Sequence, residues 1–187
     1  MNPISTKPVG EFEVRNGAVV VSDPCYDRGT WCAGTIRNVL NGTWKARIER
    51  SDEGEWGIRV ARLVVMHEKY EEDHPCVDGW DAQKFEVGVD SGQAGVFDTR
   101  HYKSDADARK ATWVNKDEAI CDDEPWYSLC CDRTLNGDSA GVIPFGAVSS
   151  SGFGDGGYPC HAKTEGGKVV GIAITFIGED DEGGDDE

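Results

Sequence analysis

Four aspartates lie beside glycine- or proline-rich turns, where a carboxylate is free to contact a ligand. Asp23 precedes Pro24. Asp90 and Asp98 flank the stretch SGQAGVF, and Asp155 lies within GFGDGG. Strand ends of a β fold gather at one rim, so we expect the four side chains to converge, and carboxylate oxygens suit Ca²⁺, Mg²⁺ and Mn²⁺. The pattern predicts a divalent metal site made of Asp23, Asp90, Asp98 and Asp155.

A second interpretation gives each aspartate a local role. Asp-Ser-Gly and Asp-Gly-Gly are common turn sequences, in which the carboxylate accepts hydrogen bonds from nearby backbone N–H groups. The sequence has no EF-hand loop with its regular acidic spacing and closing glutamate. A metal site therefore depends on assembly in space, and we expect no cofactor to be required.

Polar and aromatic residues near these aspartates predict a binding site for a partner or a small ligand. Ser91 and Gln93 offer a hydroxyl and an amide, and Gly92 between them allows close approach. The aromatic side chains of Trp126 and Tyr127 could form a pocket wall, although aromatic residues in β domains often pack in the core. The predicted ligand-binding residues are Asp90, Ser91, Gln93, Asp98, Trp126, Tyr127, Asp155 and Tyr158.

The motifs of several common enzymes are absent. The glycine-rich stretch at residues 152–157 has neither the lysine nor the following helix of a phosphate-binding loop. The chain also has no Gly-x-Ser-x-Gly nucleophile elbow. Cys25 and His161 could form a thiolate–imidazole pair, but a buried structural thiol is the simpler interpretation of Cys25. No catalytic residue is assigned, and a non-enzymatic role is favoured.

The charged composition of the chain limits the classes of partner that it is expected to bind. The 187 residues include 35 Asp and Glu against 19 Lys and Arg, for a net charge of −16. Residues 179–187 hold seven of the acids, so the remaining body is acidic in its own right. This charge disfavours binding to nucleic-acid phosphates or to an anionic membrane, and it favours a basic protein partner, a cation or simple solubility.

The apolar pattern and the first residues bear on where the protein is expected to act. No apolar run is long enough to span a bilayer, and residues 1–10 do not form a secretory signal. The seven cysteines are odd in number and form no C-x-x-C pair, which predicts free thiols. We expect a cytoplasmic protein, located in the host cytoplasm if it is encoded by a phage.

Strand signals dominate the chain and predict a mainly β fold, an antiparallel sandwich or half-open barrel with one or two short helices. Asn16-Gly17 and Asn41-Gly42 are strong hairpin signals, so residues 11–66 are predicted to form an antiparallel meander. Ser104 is a candidate N-cap for a helix over residues 104–118. Further strands are predicted over residues 85–89, 95–97, 126–131 and 141–148, and a last hairpin over residues 158–163 and 169–177 with a turn at 165–167.

The same signals define the domain boundaries. Residues 1–10 are predicted to be an N-terminal extension, and residues 11–178 a single β-rich domain. The final hairpin of this domain is apolar and is expected to be central to the core. Residues 179–187 are predicted to be a disordered acidic tail, because like charges repel and nothing there can be buried.

Three motifs in order carry a family resemblance: VDSGQAGVFD at residues 89–98, Trp126-Tyr127, and GFGDGGYP at residues 152–159. Together they resemble the uncharacterised bacterial and phage family known as domain of unknown function 4241. The stretch SDPCY at residues 22–26 is similar to short phage-encoded relatives of that group. The resemblance implies a small β-rich domain and implies no activity. The extra cysteines, the VSSS stretch at residues 148–151 and the acidic tail depart from the family pattern.

These observations lead to one functional prediction and two alternatives. The prediction is a cytosolic, phage-encoded accessory protein that binds a basic partner or a small ligand at a polar rim formed by the DSGQ and GFGDGGYP motifs. The first alternative is a hydrolase that depends on a divalent metal held by the aspartates. The second is an acidic inhibitor that mimics DNA, for which the net charge is the motive.

Overall fold

Two antiparallel sheets form the body of the protein. The computed structural model describes residues 5–115 and 123–178. The six-stranded sheet has the order β1-β4-β5-β11-β10-β6, and the five-stranded sheet has the order β3-β2-β7-β9-β8. The strands are β1 Ser5–Val14, β2 Ala18–Ser22, β3 Gly34–Arg37, β4 Gly42–Asp52, β5 Ile58–His67, β6 Asp81–Val89, β7 Gln93–Asp98, β8 Ala140–Ile143, β9 Gly146–Ser150, β10 Gly156–Glu165 and β11 Lys168–Thr175. The sheets are open rather than closed, so the predicted mainly β, antiparallel fold is confirmed.

The main core lies between the two sheets. Trp44, Ile48 and Leu63 of the six-stranded sheet are completely buried against Val21 and Val96 of the five-stranded sheet. Burial of such side chains is the main favourable term in folding, at roughly 25 cal/mol per Å² of apolar surface. The last hairpin, β10–β11, adds Cys160, Ile172 and Ile174 to this cluster. Its predicted central position is confirmed, since β11 lies between β5 and β10.

The two Asn-Gly turns are not hairpins, which corrects the prediction. β1 pairs with β4, whereas β2 pairs with β3 and β7, so Asn16-Gly17 joins strands of different sheets. Asn41-Gly42 crosses in the same way from β3 to β4. The two crossings lie side by side, because the Gly17 N–H donates to Asn41 Oδ1 at 2.7 Å. Residues 11–66 therefore contribute strands to both sheets instead of forming one meander.

Two helices cover the outer face of the five-stranded sheet. The Ser104 hydroxyl accepts from Asp107 N–H at 3.3 Å and caps α1 as predicted, but α1 is short, Asp105–Ala108. The end of the predicted helix, residues 116–118, lies outside the described residues. Residues 126–131, predicted as a strand, belong instead to helix α2, Pro125–Thr134. Pro125 fits the first turn of a helix, and the spacing of Trp126, Leu129 and Cys130 places all three on its buried face.

The N-terminal boundary also differs from the prediction. β1 begins at Ser5, which pairs with Arg50 of β4, so residues 5–10 belong to the sheet and not to an extension. A register shift between Pro8 and Gly10 bends this edge strand. The predicted acidic tail, residues 179–187, lies outside the described residues. Over the described part of the chain, the helices are all too short or too polar to cross a membrane.

Candidate functional site

Asp90 and Asp155 lie at the same edge of the six-stranded sheet. β6 ends at Val89 and β10 begins at Gly156, and these two residues are paired across the strands. The following Asp90 and the preceding Asp155 therefore line one cleft of about 370 Å³, as the sequence predicted for this pair. We call it the acidic cleft; its other lining residues are Tyr26, Trp31, Cys32, Glu86, Gly88, Val89, Gly156 and Gly157.

Trp31 lies at this cleft with 91% of its surface exposed. Its neighbour Cys32 is buried against β6, where the Gly88 N–H donates to the Cys32 carbonyl at 3.0 Å. A side chain at position 88 would place its Cβ 2.6 Å from Cys32 Cβ, so the glycine permits this close approach. The buried cysteine fixes the loop and leaves the indole of Trp31 in solvent. The exposed face of this indole is a surface on which a cationic group can stack.

Three carboxylates face the acidic cleft. Glu86, Asp90 and Asp155 line it, and none of the three forms an ion pair with a described lysine, arginine or histidine. The Tyr26 hydroxyl donates to Asp90 Oδ2, and this hydrogen bond is the main reason that the pKa of Tyr26 is raised. The cleft therefore combines negative charge with two aromatic side chains.

Asp23 holds the cleft together from inside the protein. Its carboxylate is completely buried and accepts hydrogen bonds from the backbone N–H groups of Cys25, Asp90 and Ser91 at 2.8, 2.9 and 2.7 Å. The Ser91 hydroxyl adds a fourth, at 2.6 Å. These four donors tie the loop after β2 to the turn between β6 and β7. Asp23, predicted as a metal ligand, thus has its carboxylate oxygens occupied by protein donors.

Asp98 is separated from the acidic cleft, which corrects the predicted four-aspartate site. It ends β7, whereas Asp90 precedes the start of that strand, and five residues of extended chain span about 17 Å. Its buried carboxylate accepts from the N–H groups of Arg15 and Arg100 at 2.7 and 2.9 Å. Asp98 thus stabilises the chain crossing at Asn16-Gly17, at the opposite end of β7.

Ser91 and Gln93 connect the same turn to helix α2. Gln93 is buried; its amide donates to Cys131 Sγ at 3.4 Å, and its carbonyl oxygen accepts from the Thr134 hydroxyl at 3.0 Å. Tyr127 interacts with Ser91 and Gln93, and burial is the main reason that its pKa is raised. Ser91 and Gln93 therefore connect three segments of the chain, and of the polar residues in the DSGQ motif only Asp90 lines the acidic cleft.

Trp126 and Tyr158 are likewise placed by packing. Trp126 is buried, with its ring edge-to-face at 5.0 Å from both Phe97 and Tyr102. With Tyr127, it lines a separate cavity of about 510 Å³. The Tyr158 hydroxyl donates to the Gly154 carbonyl at 2.7 Å, and its ring packs edge-to-face on Phe176. Tyr158 therefore fixes the shape of the glycine loop at residues 152–157.

The chemistry predicted for metals and thiols has limited support in the geometry. Across residues 5–115 and 123–178, no three or more His, Cys, Asp or Glu side chains are grouped so as to hold a metal ion. Burial, followed by the neighbouring Asp23 and Asp90, raises the pKa of the Cys25 thiol to about 12. His161 lies on β10 of the six-stranded sheet, whereas Cys25 follows β2 of the other sheet. The metal-dependent hydrolase and the DNA mimic stay predictions.

Sequence reasoning missed the residues that complete the acidic cleft: Tyr26, Trp31, Cys32 and Glu86. Glu86 lies on β6, in register with Pro159 of β10, and only that strand pairing places it beside Gly157. The sequence contained a single usable signal, the run SDPCY followed by Trp31-Cys32 in a segment without strand periodicity. A tryptophan in such a loop has no strand partner to bury it.

The fold and the cleft define a class of protein: a mainly β domain of two open antiparallel sheets with a preformed polar cleft at one edge. Within that class, the chain belongs to the family described as protein of unknown function DUF4241, whose model matches residues 12–174. The resemblance seen in the ordered motifs is thereby confirmed. No curated protein and no solved structure matches the chain.

Proposed function

We propose that this protein is a binding protein that recognises a cationic group, such as an arginine or lysine side chain of a partner or a small organic cation, in the acidic cleft. The observation that carries the proposal is Trp31, 91% exposed beside three carboxylates that have no cationic partner among the described residues. An accessory role for a phage in its host, which the family resemblance implies, stays a prediction.

The chemistry of the cleft fits an organic cation. A guanidinium or ammonium group over the face of a tryptophan is attracted by the ring, by about 0.5–2 kcal/mol depending on solvation. Carboxylates beside the ring add charge-assisted hydrogen bonds, which are roughly twice as strong as neutral ones. Glu86, Asp90 and Asp155 supply the acceptors, and Trp31 supplies the ring.

The framework of the cleft favours binding without rearrangement. Asp23 fixes the turn that presents Asp90, and Tyr158 fixes the loop that presents Asp155. Groups already held in position lose less conformational entropy when a ligand binds. The negative charge of the whole body, with 28 acids against 19 bases outside residues 179–187, also attracts a basic partner and raises its association rate.

The test measures binding of the full-length chain to short peptides rich in arginine, in lysine or in glutamate by isothermal titration calorimetry. We expect the basic peptides to bind and the acidic peptide not to bind. Trp31→Ala and Asp155→Asn should each weaken the binding by about tenfold or more, as central contacts of an interface do. Trp56→Ala is the matched control, since it removes another exposed tryptophan outside this cleft.

Three results would contradict the proposal. The first is that no basic peptide binds, and the second is that Trp31→Ala and Trp56→Ala bind equally well. The third is a melting temperature raised by Ca²⁺, Mg²⁺ or Mn²⁺ in the original chain but not in Asp90→Asn. That last result would favour the alternative of a hydrolase that depends on a divalent metal.

A further inference from the structure

A second surface adjoins the glycine loop and differs from the acidic cleft. A groove of about 420 Å³ is lined by one part of this loop, with Gly152, Phe153 and Gly154, and by residues of β4, β5 and the loop before β8. We call it the Trp56 groove. Its other lining residues are Arg50, Ile58, Arg59, Val60, Gly92, Gly137, Asp138, Ser139 and Ser150, and Trp56 packs on Phe153 beside it.

The rim of this groove is apolar and exposed. Trp56, Ile58 and Phe153 expose 69%, 60% and 52% of their surface. The rings of Trp56 and Phe153 meet edge-to-face with centroids 6.3 Å apart, so the two side chains form a single patch. Three large apolar side chains together in solvent are a feature of protein interaction sites, whereas single exposed ones are common.

The charge in the groove is positive, unlike the protein as a whole. Arg50 and Arg59 line it together with one acid, Asp138. Asp138 is already paired with Lys7 at 2.5 Å and with Arg50 at 3.0 Å, and the Lys7 contact is the main reason that its pKa is lowered. Arg59 donates from Nε to the Trp56 carbonyl and forms no ion pair with a described carboxylate. Its guanidinium is thus available to an anionic group.

We infer that the Trp56 groove binds a segment of a partner protein that presents a large apolar side chain next to a carboxylate. The apolar side chain would pack on Trp56, Ile58 and Phe153, and the carboxylate would pair with Arg59. A planar guanidinium can bind a carboxylate through two parallel hydrogen bonds, which fixes the register of the segment. Charge complementarity selects this occupant, because a basic segment would meet Arg50 and Arg59 and an uncharged one would leave Arg59 unpaired.

Single-stranded nucleic acid is the less favoured occupant, although aromatic side chains and arginines are its usual contacts. Such binding requires a basic track along the backbone, and two arginines line this groove in a chain of net charge −16. A partner segment needs only one carboxylate, for Arg59, because Arg50 is already paired with Asp138. The chain's own acidic residues at 179–187 are a third occupant that the experiment separates.

The test selects a random peptide library on the immobilised full-length chain and measures the affinities of the selected peptides. We expect them to combine Asp or Glu with Leu, Phe or Trp, and to bind about tenfold or more weakly to Arg59→Glu and to Trp56→Ala. Trp31→Ala is the matched control and should bind them within about twofold of the original chain. Circular dichroism and thermal melts verify that all variants are folded.

Each other outcome would overturn the inference. Selected peptides that are basic, or that bind Arg59→Glu as well as the original chain, place recognition elsewhere. A single-stranded oligonucleotide whose binding is lost in Arg59→Glu identifies nucleic acid as the occupant. Peptides selected only after the seven acids in residues 179–187 are replaced by Asn and Gln identify the chain's own segment instead.

Discussion

The acidic cleft and the Trp56 groove share one glycine loop but carry opposite charge. Residues 152–154 of the loop line the groove, and residues 155–157 line the cleft. The loop itself contributes a phenylalanine to one surface and an aspartate to the other. The remaining charge at the cleft comes from Glu86 on β6 and Asp90 in the turn after it, and the positive charge at the groove comes from Arg50 on β4 and Arg59 on β5.

This difference indicates what the glycine motif does. The Gly154 carbonyl accepts hydrogen bonds from the Tyr158 and Ser151 hydroxyls at 2.7 and 2.9 Å, which holds the loop in one shape. A fixed loop can serve as a wall for two surfaces, while the strands beside it determine which ligand each surface attracts. The motif therefore marks a framework, and specificity depends on residues outside it.

The variant with the largest expected effect on this comparison removes the Asp23 carboxylate, which holds the turn beside the acidic cleft and does not line the Trp56 groove. Asp23→Ala leaves three partly buried backbone N–H groups and one hydroxyl without their acceptor, so we expect it to lower the free energy of unfolding by about 2–4 kcal/mol. Urea denaturation provides the measurement. Asp155→Ala is the control, because this exposed carboxylate at the cleft should cost less than about 0.5 kcal/mol. Equal losses in the two variants would mean that Asp23 does not organise the cleft.

The alkylation rate of the Cys25 thiol tests the surroundings of Asp23 and Asp90 beside the acidic cleft. Burial and the nearby Asp23 and Asp90 raise the pKa of its thiol to about 12, so its thiolate fraction at pH 8 is about 10⁻⁴. We expect iodoacetamide to alkylate Cys25 at least about 100-fold more slowly than the exposed Cys76. Mass spectrometry of the two peptides over time measures the rates. The rate should rise with pH up to about 12, and Asp90→Asn should increase it at pH 8. Equal rates for the two thiols in the folded chain would contradict this account; in denatured protein they should be equal.

On the groove side, the corresponding framework residue is Gly152. Its φ of +64° is unfavourable for other residues, and an added Cβ would lie 3.1 Å from Phe176 Cβ. We expect Gly152→Ala to lower the free energy of unfolding by about 1–3 kcal/mol in urea denaturation. Gly137→Ala is the matched control, since this groove residue has open space around it and lacks a positive φ. A loss no greater than that of the control would show that the loop tolerates another shape.

The sequence predicted some features of the fold and of the cleft correctly and missed others, and the kind of signal explains the difference. Strand patterns predicted the fold class and the central last hairpin, because alternation reports burial of one face. The Asn-Gly signals failed, since a turn residue reports local backbone shape and not which sheet the next strand joins. The proximity of Asp90 and Asp155 was predicted because both aspartates lie at strand ends, which gather at one rim of a β fold. Glu86 and Trp31 were not, because their position depends on the register of β6 with β10 and on the anchoring of Cys32.

Two tryptophan variants test whether the surfaces act independently. We expect Trp31→Ala to weaken binding of an arginine-rich peptide by about tenfold or more, and to change binding of an acidic, apolar peptide by less than about twofold. Trp56→Ala should show the reverse pattern. Trp31 lines the acidic cleft, whereas Trp56 packs on Phe153 beside the Trp56 groove, so no shared contact should couple the two rings. If either variant weakens both peptides equally, the two surfaces form one site.

Added salt should weaken peptide binding more at the acidic cleft than at the Trp56 groove, although this difference is smaller than the effects above. Binding at the acidic cleft depends on three carboxylates near solvent, and salt screens such charges over about 10 Å at 0.1 M. Binding at the Trp56 groove depends mainly on burying Trp56, Ile58 and Phe153, which salt does not weaken. Calorimetric titrations at low and high NaCl should therefore show the arginine-rich peptide losing about three- to tenfold in affinity and the acidic, apolar peptide less than about twofold. Equal losses would mean that Arg59 and its carboxylate, rather than the apolar patch, provide most of the affinity at the groove.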